Sequence, residues 1–212
     1  MMKIQLLADA QYRASFEQAF VAFETSDDAD IVIDARLLDP IAKLTSPASG
    51  SLVITNTLTH SASACRAENV IGIPMLPKHF AKQSTIEFSV AGGSSAPGSF
   101  TDLLAALGKQ GEQIGDCVAG VFPRALAMII NEAAFALQES VASANDIDQA
   151  MKLGTNYPKG PLAWCDESGA EAIVSTLDAL ARENGGDRYR VASLLRRHAE
   201  AGVRFYNSEV LA

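Results

Sequence analysis

Basic residues are scarce in this chain: 17 Lys and Arg stand against 25 Asp and Glu, a formal net charge of -8 over 212 residues. No Lys/Arg block exceeds a pair such as Arg196-Arg197. The positive footprint that a phosphate backbone requires is therefore missing, and nucleic acid is not an expected partner. Cysteine is sparse too: Cys65, Cys117 and Cys165 lie far apart, without the paired spacing of a zinc or redox motif, and their odd count argues against a disulfide framework. No apolar run approaches the roughly 18 residues of a membrane span, and the apolar stretch near Met1 is too short for the core of a signal peptide. The expectation is a cytoplasmic protein with no membrane partner. Internal repeats, low-complexity tracts and flexible linkers are lacking, as are a Ser-His-Asp order, an HExxH and any metal-ligand cluster. What is there, 48% hydrophobic and 20% charged residues, suits a globular chain that buries one large core or two small ones.

The first half alternates short apolar runs with a helical pattern. Lys3 to Asp9, Ala29 to Arg36, Ser51 to Thr57, Val70 to Leu76 and Thr85 to Ala91 read as strands, and Tyr12 to Glu24 reads as a helix. Runs that are apolar throughout and rich in Ile and Val suit strands buried on both faces of a parallel α/β sheet. The cluster from Gly92 to Gly98 is a turn; Ser99 with Asp102 then predicts a helix start and Gly108 its stop. From about Val118 the pattern becomes almost wholly helical. Pro123 fits a first turn, followed by Leu126, Ile129, Ile130, Ala133 and Leu137 on one face. Further helices are predicted over 146–153, with Ser143 and Asp146 as a capping pair and Gly154 as the stop, over 168–184 with Ile173, Leu177 and Leu180 inward, and over roughly 189–201.

In order and spacing, Asn131-Glu132-Ala133, Val141-Ala142-Ser143, Asp146-Ile147-Asp148, Ala150 to Gly154 and Tyr157-Pro158-x-Gly160-Pro161 resemble the C-terminal domain of 3-hydroxyacyl-CoA dehydrogenases. Upstream, Asp30 to Arg36, Val53 to Thr57 and Val70 to Ile73 are similar to strands of the same family, so the resemblance runs from about residue 29 onward. It implies an α/β plus all-α fold: a truncated Rossmann-like parallel sheet domain over 1–117 and a helical dimerisation domain over 118–212. Asn131 and Glu132 are expected to make buried hydrogen bonds that fix helix packing. Tyr157 to Pro161 is expected to be a rigid turn between helices, Trp164 a core or interface anchor, and Phe205-Tyr206-Asn207 a docking segment like the family's closing residues.

The departures from the family bear on activity. A dinucleotide turn needs glycines where the backbone meets the pyrophosphate, but Ala8 to Tyr12 has none and Asp9 would face the phosphates. The stretch from there to Asp30 leaves no room for half of the nucleotide fold. NAD, the family's cofactor, is therefore not expected to bind, and no cofactor is assigned. The family's catalytic His aligns with Pro74, its Ser with Leu58 and its Asn with Pro123. Glu87, one residue out of register, is the one candidate remnant of the His-orienting carboxylate. His60 and His79 are considered as substitutes and read as solvated loop residues, and His198 as a favourable charge at a helix end.

Three functions follow as expectations. The first is a family member without independent dehydrogenase activity, serving as a homodimer through the helical domain or as the partner of an active dehydrogenase in acyl-CoA metabolism. The second is an active or partner-completed NAD-dependent 3-hydroxyacyl-CoA dehydrogenase in fatty-acid or aromatic-acid degradation. The third is an acyl-CoA sensor that uses a cleft lined by Asn56, Thr57, Glu87 and Arg124, which side chains of Leu58, Met75 and Phe122 would instead fill.

Overall fold

The computed structural model describes residues 2–37, 51–65, 69–93 and 95–206; Asn207, the last residue of the expected docking segment, lies outside them. The chain divides into two compact units, Met1–Val121 and Phe122–Ala212; the change of sequence pattern falls four residues earlier, at 117/118.

The first unit is a seven-stranded sheet with β1 (Lys3–Leu7), β2 (Glu24–Thr25), β3 (Ile31–Asp34), β4 (Leu52–Asn56), β5 (Val70–Ile73), β6 (Thr85–Val90) and β7 (Gln110–Gln113). Their order is β2-β1-β3-β4-β5-β6-β7. Every residue of β3, β4 and β5 is buried, as expected of central strands covered on both faces. All neighbours pair in parallel except β5 and β6, which run antiparallel. Strands are added on one side of β1 and then on the other. Among the described residues this is the doubly wound pattern with one strand, β2, beyond β1, and it places the switch point between β1 and β3. The outermost strand there, β2, is two exposed residues long.

Two strands escaped the sequence pattern. β2 is too short to show a period, and β7 (QGEQ) is polar and fully exposed, an edge strand with nothing apolar to alternate. The predicted helix over 12–24 is shorter: α1 spans Arg13–Ala19, and Phe20 to Phe23 close as a turn. Its Phe16 and Phe20 pack on Phe80, with ring centroids 6.4 and 5.7 Å apart. α2 spans Gly98–Ala106 with Pro97 as its cap, so Ser99 lies inside the helix and does not cap it with Asp102. Gly108 does stop it: with φ +65 it lets the Lys109 amide reach the Leu104 carbonyl (2.9 Å), closing a Schellman turn.

The second unit packs five helices: α3 (Phe122–Gln138), α4 (Ala144–Thr155), α5 (Pro161–Ser168), α6 (Ala170–Asn184) and α7 (Ser193–Ala201). α3 is its centre, touching all four others. Its buried stripe is Leu126, Ala127, Ile130, Ala133 and Ala134; Ile129 and Leu137, expected inside, are half-buried. Ile173, Leu177 and Leu180 of α6 are fully buried, as predicted. Ser143 caps α4 by accepting from the Asp146 amide (3.2 Å). Gly154 does not end that helix; Asn156 does, one residue after Thr155, in the left-handed conformation. The Tyr157–Pro161 segment links two helices, as expected of a turn, but the second is a separate short one, α5, with Gly160 at its N-cap position and Pro161 in its first turn. α7 begins at Ser193, four residues later than expected, because Tyr189 and Ala192 are used as buried core outside the helix.

Candidate functional site

Ligands of doubly wound sheets sit beyond the C-terminal ends of the strands, at the switch point. Here that edge is laced by its own polar residues. After β1, the Tyr12 and Arg13 amides both turn back to the Asp9 carbonyl (3.0 and 2.9 Å), and no residue of this turn has a positive φ. The Asp9 carboxylate accepts from the Leu37 amide (2.9 Å). At the end of β3, buried Asp34 is clamped by Arg36 through two side-chain bonds of 2.7 and 2.5 Å. The pairing with Asp34 raises the Arg36 pKa further, against its partial burial. The residues present do not fit a dinucleotide: the Tyr12 and Arg13 amides at the helix start are already donated to Asp9, no glycine opens the turn, and the Asp9 carboxylate stands at its mouth.

Asn56 closes β4. Its amide nitrogen donates to the carbonyls of Ala35 (3.3 Å) and Met75 (3.1 Å), and its oxygen accepts from the amides of Leu58 (3.2 Å) and Met75 (2.9 Å). A carboxamide has two donors and two acceptor positions, and all four are used to staple the segments leaving β3, β4 and β5. Thr57 is equally buried, and its methyl presses on Gly72: a Cβ there would lie 2.5 Å from Thr57 Cγ2 and 2.7 Å from Ser89 Oγ. Leu58 and Met75 are fully buried core residues, whereas Phe122, in the second unit, is exposed.

Pro74 and Glu87, distant in sequence, meet in space. They flank Gly120, whose φ is +54 and whose Cβ, if present, would lie 2.6 Å from Glu87 Oε2 and 2.7 Å from Pro74 Cγ. Glu87 Oε2 accepts from the Val121 amide (2.7 Å), and two residues back the Ala119 amide donates to the Thr57 carbonyl (2.7 Å). Thr57, Pro74 and Glu87 are thus gathered by one short turn, Ala119–Val121, whose first two residues are both left-handed. Arg124 lies half-buried in α3 of the other unit.

The histidines depart from expectation in part. His60 is buried: its Nε2 pairs with Thr55 Oγ1 (2.9 Å) and its Nδ1 faces Thr59 Oγ1 (3.4 Å). The five-residue loop around it is folded inward, which the sequence does not betray. His79 is half-buried ahead of the short 3-10 turn Phe80–Lys82. A further carboxylate went unnoticed in the sequence. Asp116 accepts from the amides of Ala62 (2.7 Å) and Ser63 (2.9 Å) and from Ser89 Oγ (3.1 Å). Burial pushes its pKa up, but these bonds outweigh burial and the net shift is downward. Among the described residues no group of His, Cys, Asp and Glu could hold a metal ion, and no helix is long and apolar enough to cross a membrane.

In the helical unit the polar pair resolves differently for its two members. Asn131 is buried, donating to the Arg190 carbonyl (2.9 Å) and accepting from the Ala192 amide (2.9 Å). Glu132 is exposed and takes no part. Trp164 is half-buried against Tyr157, ring centroids 5.3 Å apart.

Residues 121–206 match the family model of the 3-hydroxyacyl-CoA dehydrogenase C-terminal domain. The chain is 38% identical over 148 residues to the 3-hydroxyadipyl-CoA dehydrogenase of Escherichia coli (strain K12), a match covering 70% of this chain and 31% of that protein. It is 32% identical over 196 residues to a probable 3-hydroxybutyryl-CoA dehydrogenase of Bacillus subtilis (strain 168), covering 84% of this chain and 67% of the relative. The chain thus spans less than a third of the length of the first of these relatives and two thirds of the second. Among solved structures, the (S)-3-hydroxybutyryl-CoA dehydrogenase of Ralstonia eutropha superposes with a TM-score of 0.73 at 21% identity, over 95% of both chains, which establishes a shared fold.

Proposed function

Because the chain belongs to the 3-hydroxyacyl-CoA dehydrogenase family, we propose that it is a dehydrogenase-like member without independent turnover, serving acyl-CoA metabolism as a dimer-forming or partner subunit. The observation that carries this reading is the pairing of Pro74 with Glu87 around Gly120. On the family resemblance, these are the positions of the catalytic His and of the carboxylate that orients it. The carboxylate is still beside that neighbouring position, but the position now holds a pyrrolidine ring that exchanges no proton, and Glu87 accepts from the Val121 amide. General acid–base catalysis supplies ~10²–10⁴-fold in rate, and a β1–α1 turn that does not fit a dinucleotide removes cofactor positioning as well. Association through the helical unit is supported by its exposed apolar side chains: Val141 and Leu153 are largely exposed, and α3 carries half-buried Met128, Ile129 and Leu137.

Calorimetric titration of the purified chain with NADH and separately with acetoacetyl-CoA, alongside light scattering, tests this. Expected are no NADH binding up to millimolar concentration, no acetoacetyl-CoA-dependent NADH oxidation, and a mass of two chains at micromolar concentration. Tight NADH binding with turnover overturns the proposal. Binding of acetoacetyl-CoA alone would move it to an acyl-CoA-binding subunit.

A further inference from the structure

Gly108, left-handed, stops α2 and sets Lys109, half-buried, just ahead of β7. The Lys109 Nζ donates to three carbonyls of one segment: Phe80 (3.3 Å), Ala81 (3.1 Å) and Gln83. It also stands 5.6 Å from the centroid of the Phe80 ring, within cation–π range. Two of these carbonyls belong to the 3-10 turn Phe80–Lys82 and the third follows it, so the three donors of the ammonium cap the C-terminal end of the turn. The same side chain thereby fastens the segment to the connection between α2 and β7. Among the described residues no carboxylate pairs with Lys109, whereas Lys159 has Glu167 at 2.8 Å.

We propose that Lys109 is a site of N-acylation by acyl-CoA thioesters, and that the acyl group frees the Phe80–Gln83 segment from the connection ahead of β7. The proposal rests on reading the chain as a protein of acyl-CoA metabolism, where such thioesters are at hand. The step is an acyl transfer. The Nζ lone pair attacks the thioester carbonyl, the N–C bond forms, the C–S bond breaks, and the proton that the amine loses goes to the departing CoA thiolate. Only the neutral amine is a nucleophile. With no carboxylate to hold the proton, burial pulls the Lys109 pKa below the ordinary lysine value, because a desolvated ammonium is less stable than a hydrated one. At a given pH the neutral form is therefore more abundant than on a fully solvated lysine. A neutral amine still offers two N–H groups to the carbonyls, so the segment stays in place before the reaction. The acylated product has one N–H and no charge; it satisfies one carbonyl of the three and makes no cation–π contact.

The test is incubation of the full chain with acetyl-CoA at about pH 8, followed by peptide mapping in a mass spectrometer and by amide hydrogen exchange. Expected is acetylation of Lys109 severalfold faster than of Lys78, Lys82 and Lys152, although these three are exposed and Lys109 is half-buried. As Lys109 is acetylated, the amides of Phe80, Lys82 and Gln83, bonded to the Leu76, His79 and Phe80 carbonyls, should lose protection severalfold while those of Ile54 and Ile71 in the central strands keep theirs. Lys109→Gln should show that loss without acetyl-CoA, and Lys109→Arg, which keeps the charge, should not. Acetylation of Lys109 no faster than of the exposed lysines, or a segment equally protected afterwards, would overturn the proposal. Should Lys109→Gln not fold, the wild-type chain decides by itself. These readouts are separate from NADH binding and from the mass in solution, so the acylation site and the reading it rests on can fail independently.

Discussion

Gly160 is a position where one methyl group should undo a helix start. Its φ and ψ, -74 and 157, are ordinary extended values, so nothing in the backbone demands glycine. Space does: an ideal Cβ would lie 2.2 Å from both Cβ and Cγ of Asp148 and 2.6 Å from its Oδ1, far inside the roughly 3.5–4.0 Å of carbon contact. Asp148 cannot yield freely, because it caps α5 by accepting from the Leu162 and Ala163 amides (2.8 and 2.9 Å) and meets the Tyr206 hydroxyl (3.0 Å). Overpacking costs about 1–3 kcal/mol, and displacing the capping carboxylate costs about 1–2 kcal/mol more. Gly160→Ala should therefore destabilise the helical unit by about 2–5 kcal/mol, which at a urea slope of about 2 kcal/mol/M lowers the midpoint by roughly 1–2.5 M. The chain's single tryptophan, Trp164, sits in α5, so its fluorescence reports this unit selectively. The decisive form is a cycle with Asp148→Gly, which removes the atoms that the added methyl would strike. In that background the alanine should cost less than about 1 kcal/mol. An equal cost in both backgrounds, or a cost below about 1 kcal/mol in the wild type, refutes the steric account.

Two further outcomes are expected. Asn56→Leu removes a carboxamide that makes four hydrogen bonds and leaves the Ala35 and Met75 carbonyls and the Leu58 and Met75 amides buried without it; a loss of about 3–5 kcal/mol should appear as a lower thermal midpoint by circular dichroism, and a loss below about 1 kcal/mol would contradict the stapling role. Asp116, whose pKa is held below its ordinary value, adds stability above the unfolded carboxylate pKa, lost as the pH falls through the folded one. The penalty of Asp116→Asn in urea unfolding should accordingly be largest at neutral pH and shrink toward about pH 3; a penalty independent of pH would show that the charge is immaterial.

Strands buried on both faces were legible because Ile31 to Ile33, Leu52 to Ile54 and Val70 to Ile73 are apolar at every position, a pattern that only a covered sheet rewards. Helix ends were legible where a single side chain makes them, as at Ser143, and where glycine must turn left-handed, as at Gly108. They were misread where the terminator acts from elsewhere. α7 starts late because α3 supplies its acceptors: Asn131 takes the Ala192 amide and Gln138 the Leu194 amide (2.8 Å). No local signal at Tyr189 can reveal partners more than fifty residues away. α5 is illegible for the same reason, since the acceptor of its first amides is the Asp148 carboxylate, fourteen residues before Leu162. β7 was missed because a polar edge strand has no buried face to write a period into its sequence.

The candidate site divides along the same line. Residue identities at Pro74 and Leu58 could be read directly, because a pyrrolidine ring or an aliphatic chain transfers no proton wherever it sits. What the polar residues do instead could not be read, since that depends on who faces them. Asn56, Asp9 and Asp34 lie where a nucleotide-binding sheet would present groups to a ligand, and each is turned on the protein's own backbone or on Arg36. With one strand, β2, beyond β1 among the described residues and no glycine in the turn after β1, the switch point leaves carbonyls and amides at the ends of β1, β3 and β5 that buried surroundings require to be paired. The same carboxylates and carboxamide perform that pairing; on the function proposed above, Pro74→His alone should show no acetoacetyl-CoA-dependent NADH oxidation, and turnover in that variant would refute the reading.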